Sequence, residues 1–301
     1  MDLLTRSGFD GLACAVIFHE IGMVDNWKFV HPKDLQDGTV DVTSNDILAN
    51  VPYVPGCGMW FDHHASELER GGAPEGFSGS FKELDSAARV VYEYYKNDYD
   101  LSRFESMLDE VDMIDAGNLT IDDILNPKDW VLLGFLSDPR TGLGRFRNFT
   151  ISNYTLMQNL VGYCRTMTID KILDLPDIKE RIDVYFEQAT LFKQMVEEHT
   201  TVTGNVIATD LRDVDIINAG NRFMIYSLYP EQNISMWIVD GRNKENCAIA
   251  VGYSILNRTS KVNVGSTLLE YGGGGHQQVG TCQVSYADAD RVIAELKQKL
   301  Q

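Results

Sequence analysis

The first hundred residues alternate short apolar runs with helix-like stretches, and this rhythm constrains the fold more than any other feature. "DLL" is a short strand signal, and "DGLACAVIFHEIG" reads as a helix ending near Gly22. "WKFVHP" is a strand stopped by Pro32, "DILANVPY" a further strand, and "GMWFDHH" another. "DSAARVVYEYYKN" carries apolar residues at helical spacing. The expectation is an α/β fold: an N-terminal, mostly parallel sheet with helices on both faces. In such sheets ligands bind beyond the carboxyl ends of the strands. Asp62, His63 and His64 fall at one such end.

The remaining two thirds divide by texture. From about 101 to 200 the pattern is helical, broken by the Gly- and Arg-rich "SDPRTGLGRFRNF". From about 202, "TVTGNVIATDL", "RFMIYSLYP", "ISMWIVDG" and "CAIAVGYSI" read as β-rich. A helix, a glycine run, a strand and a closing helix follow. The expected domains are 1–200 and 201–301, the second a smaller α/β domain, with a cleft between them and the helix ending near Thr200 as connector.

Composition limits the function classes. The 301 residues are 44% hydrophobic and 23% charged, enough for a sizeable core. The net charge of -18 disfavours duplex nucleic acid and anionic membranes as partners. An anionic small substrate stays compatible if a metal or clustered arginines invert the field locally. Five scattered cysteines without a C-x-x-C pattern read as reduced thiols. No apolar run approaches the roughly 18 residues of a membrane helix, so the cytoplasm is the expected compartment. The β-rich second half offers strand edges through which two copies could pair as a homodimer.

Five constellations can carry chemistry. Asp62-His63-His64 offers imidazoles and a hard carboxylate to a transition metal, or else starts a polar loop. Asp10, between a strand and a helix, points into the same crevice or caps the helix. Asp109, Asp112 and Asp115 recur every three residues, as a ligand-bearing face or a solvated acidic one. "YGGGGHQQVG" combines four glycines with His276, a pattern suited to an anion nest of backbone N–H groups. Arg140, Arg145, Arg147, Arg258 and Lys261 are candidate phosphate ligands in an acidic chain.

Together and in this order, "FDHHAS" and "YGGGGHQQVGTC" resemble the paired motifs of the DHH phosphoesterases and their associated C-terminal domain. The family includes RecJ exonucleases, nanoRNases, exopolyphosphatase-related proteins and dinucleotide phosphodiesterases. The resemblance covers nearly the whole chain. It implies metal-dependent hydrolysis of a phosphoester or phosphoanhydride in a small phosphorylated substrate: a short oligonucleotide, a dinucleotide or polyphosphate. The implied cofactor is a divalent ion, manganese first and magnesium second. Carried over by position, Asp10, His64, Asp115 and Asn50 are metal ligands, with His64 preferred over His63 and Asp112 in reserve. Asp62 and His63 act beside them. Gly272 to Gly275, with Gly273, Gly274 and Gly275 foremost, His276 and Arg258 hold substrate.

The chain departs from the family in its first two motifs. Where the family commonly reads His-x-Asp-x-Asp, this chain reads Arg6-Ser7-Gly8-Phe9-Asp10. Neither Arg6 nor Gly8 can ligate a cation. At the second motif the strand ends on Asn50, with Asp46 and Asp41 as alternatives. One ion in place of two is therefore the expectation, with Arg6 as a phosphate clamp. The alternative is a catalytically weakened or silent receptor for a nucleotide or polyphosphate in the same cleft.

Overall fold

The computed structural model describes residues 1–69, 71–72, 74–241 and 244–301. The first elements are β1 (Asp2–Arg6), α1 (Phe9–Glu20), β2 (Asn26–Val30), α2 (Pro32–Gln36), β3 (Asp46–Ala49), β4 (Met59–Asp62), α3 (Ser66–Glu69), β5 (Gly79–Phe81) and α4 (Ala87–Tyr95). Helices follow: α5 (Glu105–Asp115), α6 (Ile121–Leu125), α7 (Asp129–Ser137), α8 (Asn153–Thr166), α9 (Ile169–Leu173) and α10 (Pro176–Glu198). The last part holds β6 (Thr200–Thr203), β7 (Val206–Asp210), α11 (Met224–Leu228), β8 (Ile234–Asp240), β9 (Cys247–Tyr253), α12 (Val264–Leu269), β10 (Gly274–Gly275), β11 (Val279–Val284) and α13 (Tyr286–Lys299).

Two compact units result. The first comprises residues 1–118 and 127–185, the second residues 119–126 and 186–301. The helix α10 is shared, belonging to the first unit up to Tyr185 and to the second from Phe186.

In the first unit five strands pair in the order β2-β1-β3-β4-β5, all parallel. Strand side chains alternate between faces. Leu4, Leu48 and Trp60 stand in register and share one face. There Leu35 of α2 covers them, with Tyr53, Phe77 and Phe81 around the indole. Phe61 points the other way and meets Phe18 of α1 edge-on at 5.3 Å. Ten consecutive α1 residues, Phe9 to Phe18, are buried. The run "LACAVIF" is apolar on every side because α1 packs between the sheet and the helices α4, α5 and α8.

The second unit has a mixed six-stranded sheet, β10-β11-β9-β8-β7-β6, in which only β7 and β8 pair in parallel. Ile234, Met236 and Ile238 alternate into a core with Ile249, Val251, Leu268, Val292 and Leu296. One expectation needs correction. "RFMIYSLYP" forms the helix α11, not a strand. Its apolar residues Met224, Ile225 and Tyr226 are buried consecutively, and such a short run carries no usable period.

Candidate active site

Because β1, β3 and β4 are parallel, their carboxyl ends bring Arg6, Asn50 and Asp62 to one edge of the first unit. Only Ser7 and Gly8 separate β1 from α1. Gly11 makes that tight entry feasible, since a Cβ there would lie 1.9 Å from the Arg6 carbonyl oxygen. Gly8 has φ +131°, a conformation natural only to glycine.

Asp10 is buried and does cap a helix, but not its own. Its Oδ1 accepts the backbone N–H of Ala88 at 2.7 Å and its Oδ2 that of Ala87 at 3.0 Å, both in the first turn of α4. Ser86, the N-cap of α4, accepts the N–H of Arg89. The first three N–H groups of α4 are thus satisfied by two side chains, one from far along the chain. Burial pushes the Asp10 carboxyl up to about 6, with the Asp115 charge adding to it, against the pull of His63 and of the two amides.

His63 lies just past β4. Its Nδ1 donates to the carbonyl of Leu84 at 2.9 Å, which fixes the ring. Its Nε2 sits 3.3 Å from Asp115 Oδ2 and 3.8 Å from Asp10 Oδ2. That nitrogen is buried and has no hydrogen-bond partner among the described residues. A neutral ring presents a lone pair there, facing two carboxylates. Asp10, His63 and Asp115 each offer a ligand atom, all within 4.8 Å of one another. Three electron-rich donors around one point, one of them orphaned, fit a divalent cation.

His64 is placed differently. Its Nδ1 donates to Oδ1 of the buried Asp62 at 2.8 Å. Burial works against its protonation. The Asp62 hydrogen bond and charge outweigh that, aided by Asp115 and Asp10, so its pKa is raised. The two rings touch edge-on at 4.3 Å, and Asp62, His63 and His64 also hold ligand atoms within 4.8 Å of one another. Around Asp10 and Asp115, however, the imidazole in place is His63 and not His64.

The remaining candidates separate cleanly. Asn50 follows β3 in a left-handed conformation (φ 57°) and lines the pocket with Arg6, Asp10 and Asp115. Asp46 sits at the opposite end of β3, its Oδ2 accepting from the Thr43 amide and hydroxyl, and Asp41 is exposed. Asp112 accepts from Ser86 Oγ and Arg89 Nε, both at 2.6 Å, which ties α5 to α4. The Arg6 guanidinium makes no hydrogen bond among the described residues. Burial and the Arg140 charge lower its pKa, against the pull of Asp115, Asp138 and Asp10. Arg140 lines the same pocket, its Nε and Nη2 forked onto Asp138 at 2.9 and 2.8 Å. The Leu84 carbonyl, the α4 amides and the Asp138 clamp had no signal in the sequence.

In the second unit, the glycine run forms a turn and the short edge strand β10. The N–H groups of Gly272, Gly273 and His276 donate to the carbonyls of Leu269, Leu268 and Val279. A Cβ at Gly273 would lie 2.3 Å from the Thr281 carbonyl oxygen, and one at Gly275 2.2 Å from that of Val279. Gly274 alone has open space around it without a positive φ. His276 and Arg258 are both exposed.

No family model matches the chain, and no curated protein does either. Among solved structures, the pGpG-specific phosphodiesterase PggH from Vibrio cholerae is 43% identical, with 99% of this chain and 98% of that one covered at a TM-score of 0.84. The chain belongs to the DHH family of phosphoesterases. The reaction class expected from the sequence, hydrolysis of a phosphoester, stands with that membership. An exopolyphosphatase-related protein from Bacteroides fragilis shares the fold at 13% identity and a TM-score of 0.52, over 99% of this chain and 92% of that one. Among the described residues, no helix is long and apolar enough to cross a membrane.

Proposed function

We propose that this phosphoesterase cleaves short linear dinucleotides, with pGpG the first candidate, using one divalent ion held by Asp10, His63 and Asp115. The observation that carries the reading is the buried Nε2 of His63, without a hydrogen bond among the described residues, facing two carboxylates. The substrate class follows from the relative that is 43% identical. Two carboxylates and an imidazole suit manganese better than magnesium, which prefers oxygen ligands. When bound, such an ion supplies an acidified water and neutralises phosphoryl charge.

The chain's own residues do the rest. Asp10 is held rigidly by α4, so its free lone pairs keep one direction. Asp62 holds His64 with Nδ1 protonated and raises its pKa, which suits His64 to give a proton to the departing sugar oxygen. Water adds to phosphorus, the bond to that oxygen breaks, and pGpG becomes two GMP. A second ion would have a poorer ligand set, since Gly8 has no side chain and Asn50 no charge, and of its candidate donors Asp62 and His64 are already bonded to each other. Arg6 and Arg140 bring guanidinium charge to the same pocket instead, placed to bind phosphoryl oxygens. Arg258 and His276 of the second unit are proposed as substrate ligands.

The test is hydrolysis by purified protein with manganese, offered linear dinucleotides, cyclic dinucleotides, polyphosphate and a bis-nitrophenyl phosphodiester. The expected result is GMP release from pGpG, abolished by a chelator and by His63→Ala. Turnover that survives both would sink the assignment. Tight binding of a panel member without turnover would establish a receptor in the same site.

A further inference from the structure

A second cavity of about 270 Å³ adjoins the catalytic pocket within the first unit, and the hydrolytic machinery does not use it. Ser7 and Asp138 line both spaces. The cavity lies at the carboxyl end of β1 and β2, where Phe29 pairs in register with Thr5. Phe29, Leu143, Met157 and Tyr154 form its largely apolar wall. Tyr154, the second residue of α8, is 55% exposed, and its hydroxyl makes no hydrogen bond among the described residues. A large aromatic left open beside an apolar hollow is an unused stacking surface.

One polar group on this wall is fixed. Asn153 Oδ1 accepts from Arg181 Nε at 3.0 Å. Arg181 is fully buried and locked by the carbonyls of Asp177 and Ile151. The Asn153 amide is therefore oriented, and its Nδ2 remains as a donor without a partner among the described residues. Guanine presents two adjacent acceptors, N7 and O6, whereas adenine presents a donor beside N7.

We propose that this cavity binds a purine base, guanine in preference to adenine, of the nucleotide adjoining the scissile phosphate. The inference rests on the dinucleotide reading above and adds the place where a base is read. Apolar walls take the flat base, Tyr154 stacks on it, and Asn153 Nδ2 donates to its acceptor edge. The phosphate then reaches Arg6 and Arg140 past the shared Ser7.

The experiment compares kcat/KM for pGpG, pApA and an abasic linear dinucleotide. The proteins are wild type, Tyr154→Ala, Leu143→Trp, which fills the cavity, and Asn153→Asp, which keeps the Arg181 acceptor but removes the donor. Tyr154→Ala and Leu143→Trp should lower kcat/KM on pGpG about tenfold or more, the scale of one lost base stack, and leave the abasic substrate within about twofold. Asn153→Asp should erase the preference for pGpG over pApA. Unchanged pGpG kinetics in both cavity variants, or equal losses on pGpG and the abasic analogue, would overturn the proposal. A wild type inactive on every dinucleotide would count against the proposed function instead. The cavity is then judged by GMP titration, where binding that is equal in wild type and Leu143→Trp refutes it and binding lost in Leu143→Trp upholds it.

Discussion

Asp10 Oδ1 accepts the backbone N–H of Ala88 at 2.7 Å, across 78 residues of chain. With the second bond from Ala87, it makes one carboxylate both the N-terminal cap of α4 and a candidate metal ligand. The starts of α1 and α4 are thereby held to each other, so fold and site share a part.

That double duty predicts a split between two substitutions. Asp10→Ala leaves two buried N–H groups without acceptors and should cost about 1–3 kcal/mol for each orphaned group. Asp10→Asn keeps one oxygen for α4 and should be clearly more stable than Asp10→Ala. Both should lose manganese binding. Urea unfolding and metal titration on both variants check this, and equal stability of the two would contradict the capping role.

The adjacent histidines should separate in the same way. His63→Ala removes the imidazole facing Asp10 and Asp115 and should abolish measurable manganese binding. His64→Ala should leave manganese affinity within about threefold while lowering kcat about 100-fold or more, as loss of a proton donor does. Calorimetric titration beside steady-state kinetics tests the pair. Metal binding lost in His64→Ala and kept in His63→Ala would reverse the roles.

The metal-free protein should gain stability on mild acidification. Burial pushes the Asp10 carboxyl up to about 6 in the folded chain, above the ordinary aspartate value of about 3.9. A raised carboxyl means that the folded state binds the proton more tightly than the unfolded state. The destabilisation is therefore fully present above about pH 6 and is relieved as pH falls toward about 4. Thermal unfolding in chelator from pH 7.5 to 5 should show Tm rising in wild type and a smaller rise in Asp10→Asn. Parallel curves for the two proteins would refute the assignment.

Gly8→Asp should not restore a second ion. The space around a Cβ at Gly8 is open, but φ is +131°. A side chain there strains the backbone by about 1–3 kcal/mol. The expected variant is less stable than wild type and still binds one manganese. A stoichiometry of two, read by equilibrium dialysis, would show that Gly8 alone removed the second site.

The sequence was most informative where pattern and chemistry coincide. The strand–helix alternation of the first third, the DHH and glycine-histidine motifs, and the replacement of a histidine by Arg6 and of a carboxylate by Gly8 are all local features. Asn50 at the end of β3 was legible because a strand's end shows in its apolar run. The short run holding Met224 to Tyr226 misled because five residues do not distinguish a helix from a strand. Part of the glycine run answers to packing. Close packing by Thr281 and Val279 accounts for Gly273 and Gly275, and no one-dimensional pattern contains those neighbours.

What the sequence alone determined is the family, the reaction class and a short roster of site residues, because these depend on which side chains occur in which order. What only the tertiary structure decided is which of them meet. His63 stands between Asp10 and Asp115 because the Leu84 carbonyl turns its ring, while Asp62 holds His64 aside. Asp112 serves Arg89 and Ser86 while Asp115, one helical turn on, reaches the site. The physical reason is that ligand geometry is set by the sheet's strand ends and by hydrogen bonds to residues far along the chain. Those partners acquire their positions only when the chain folds.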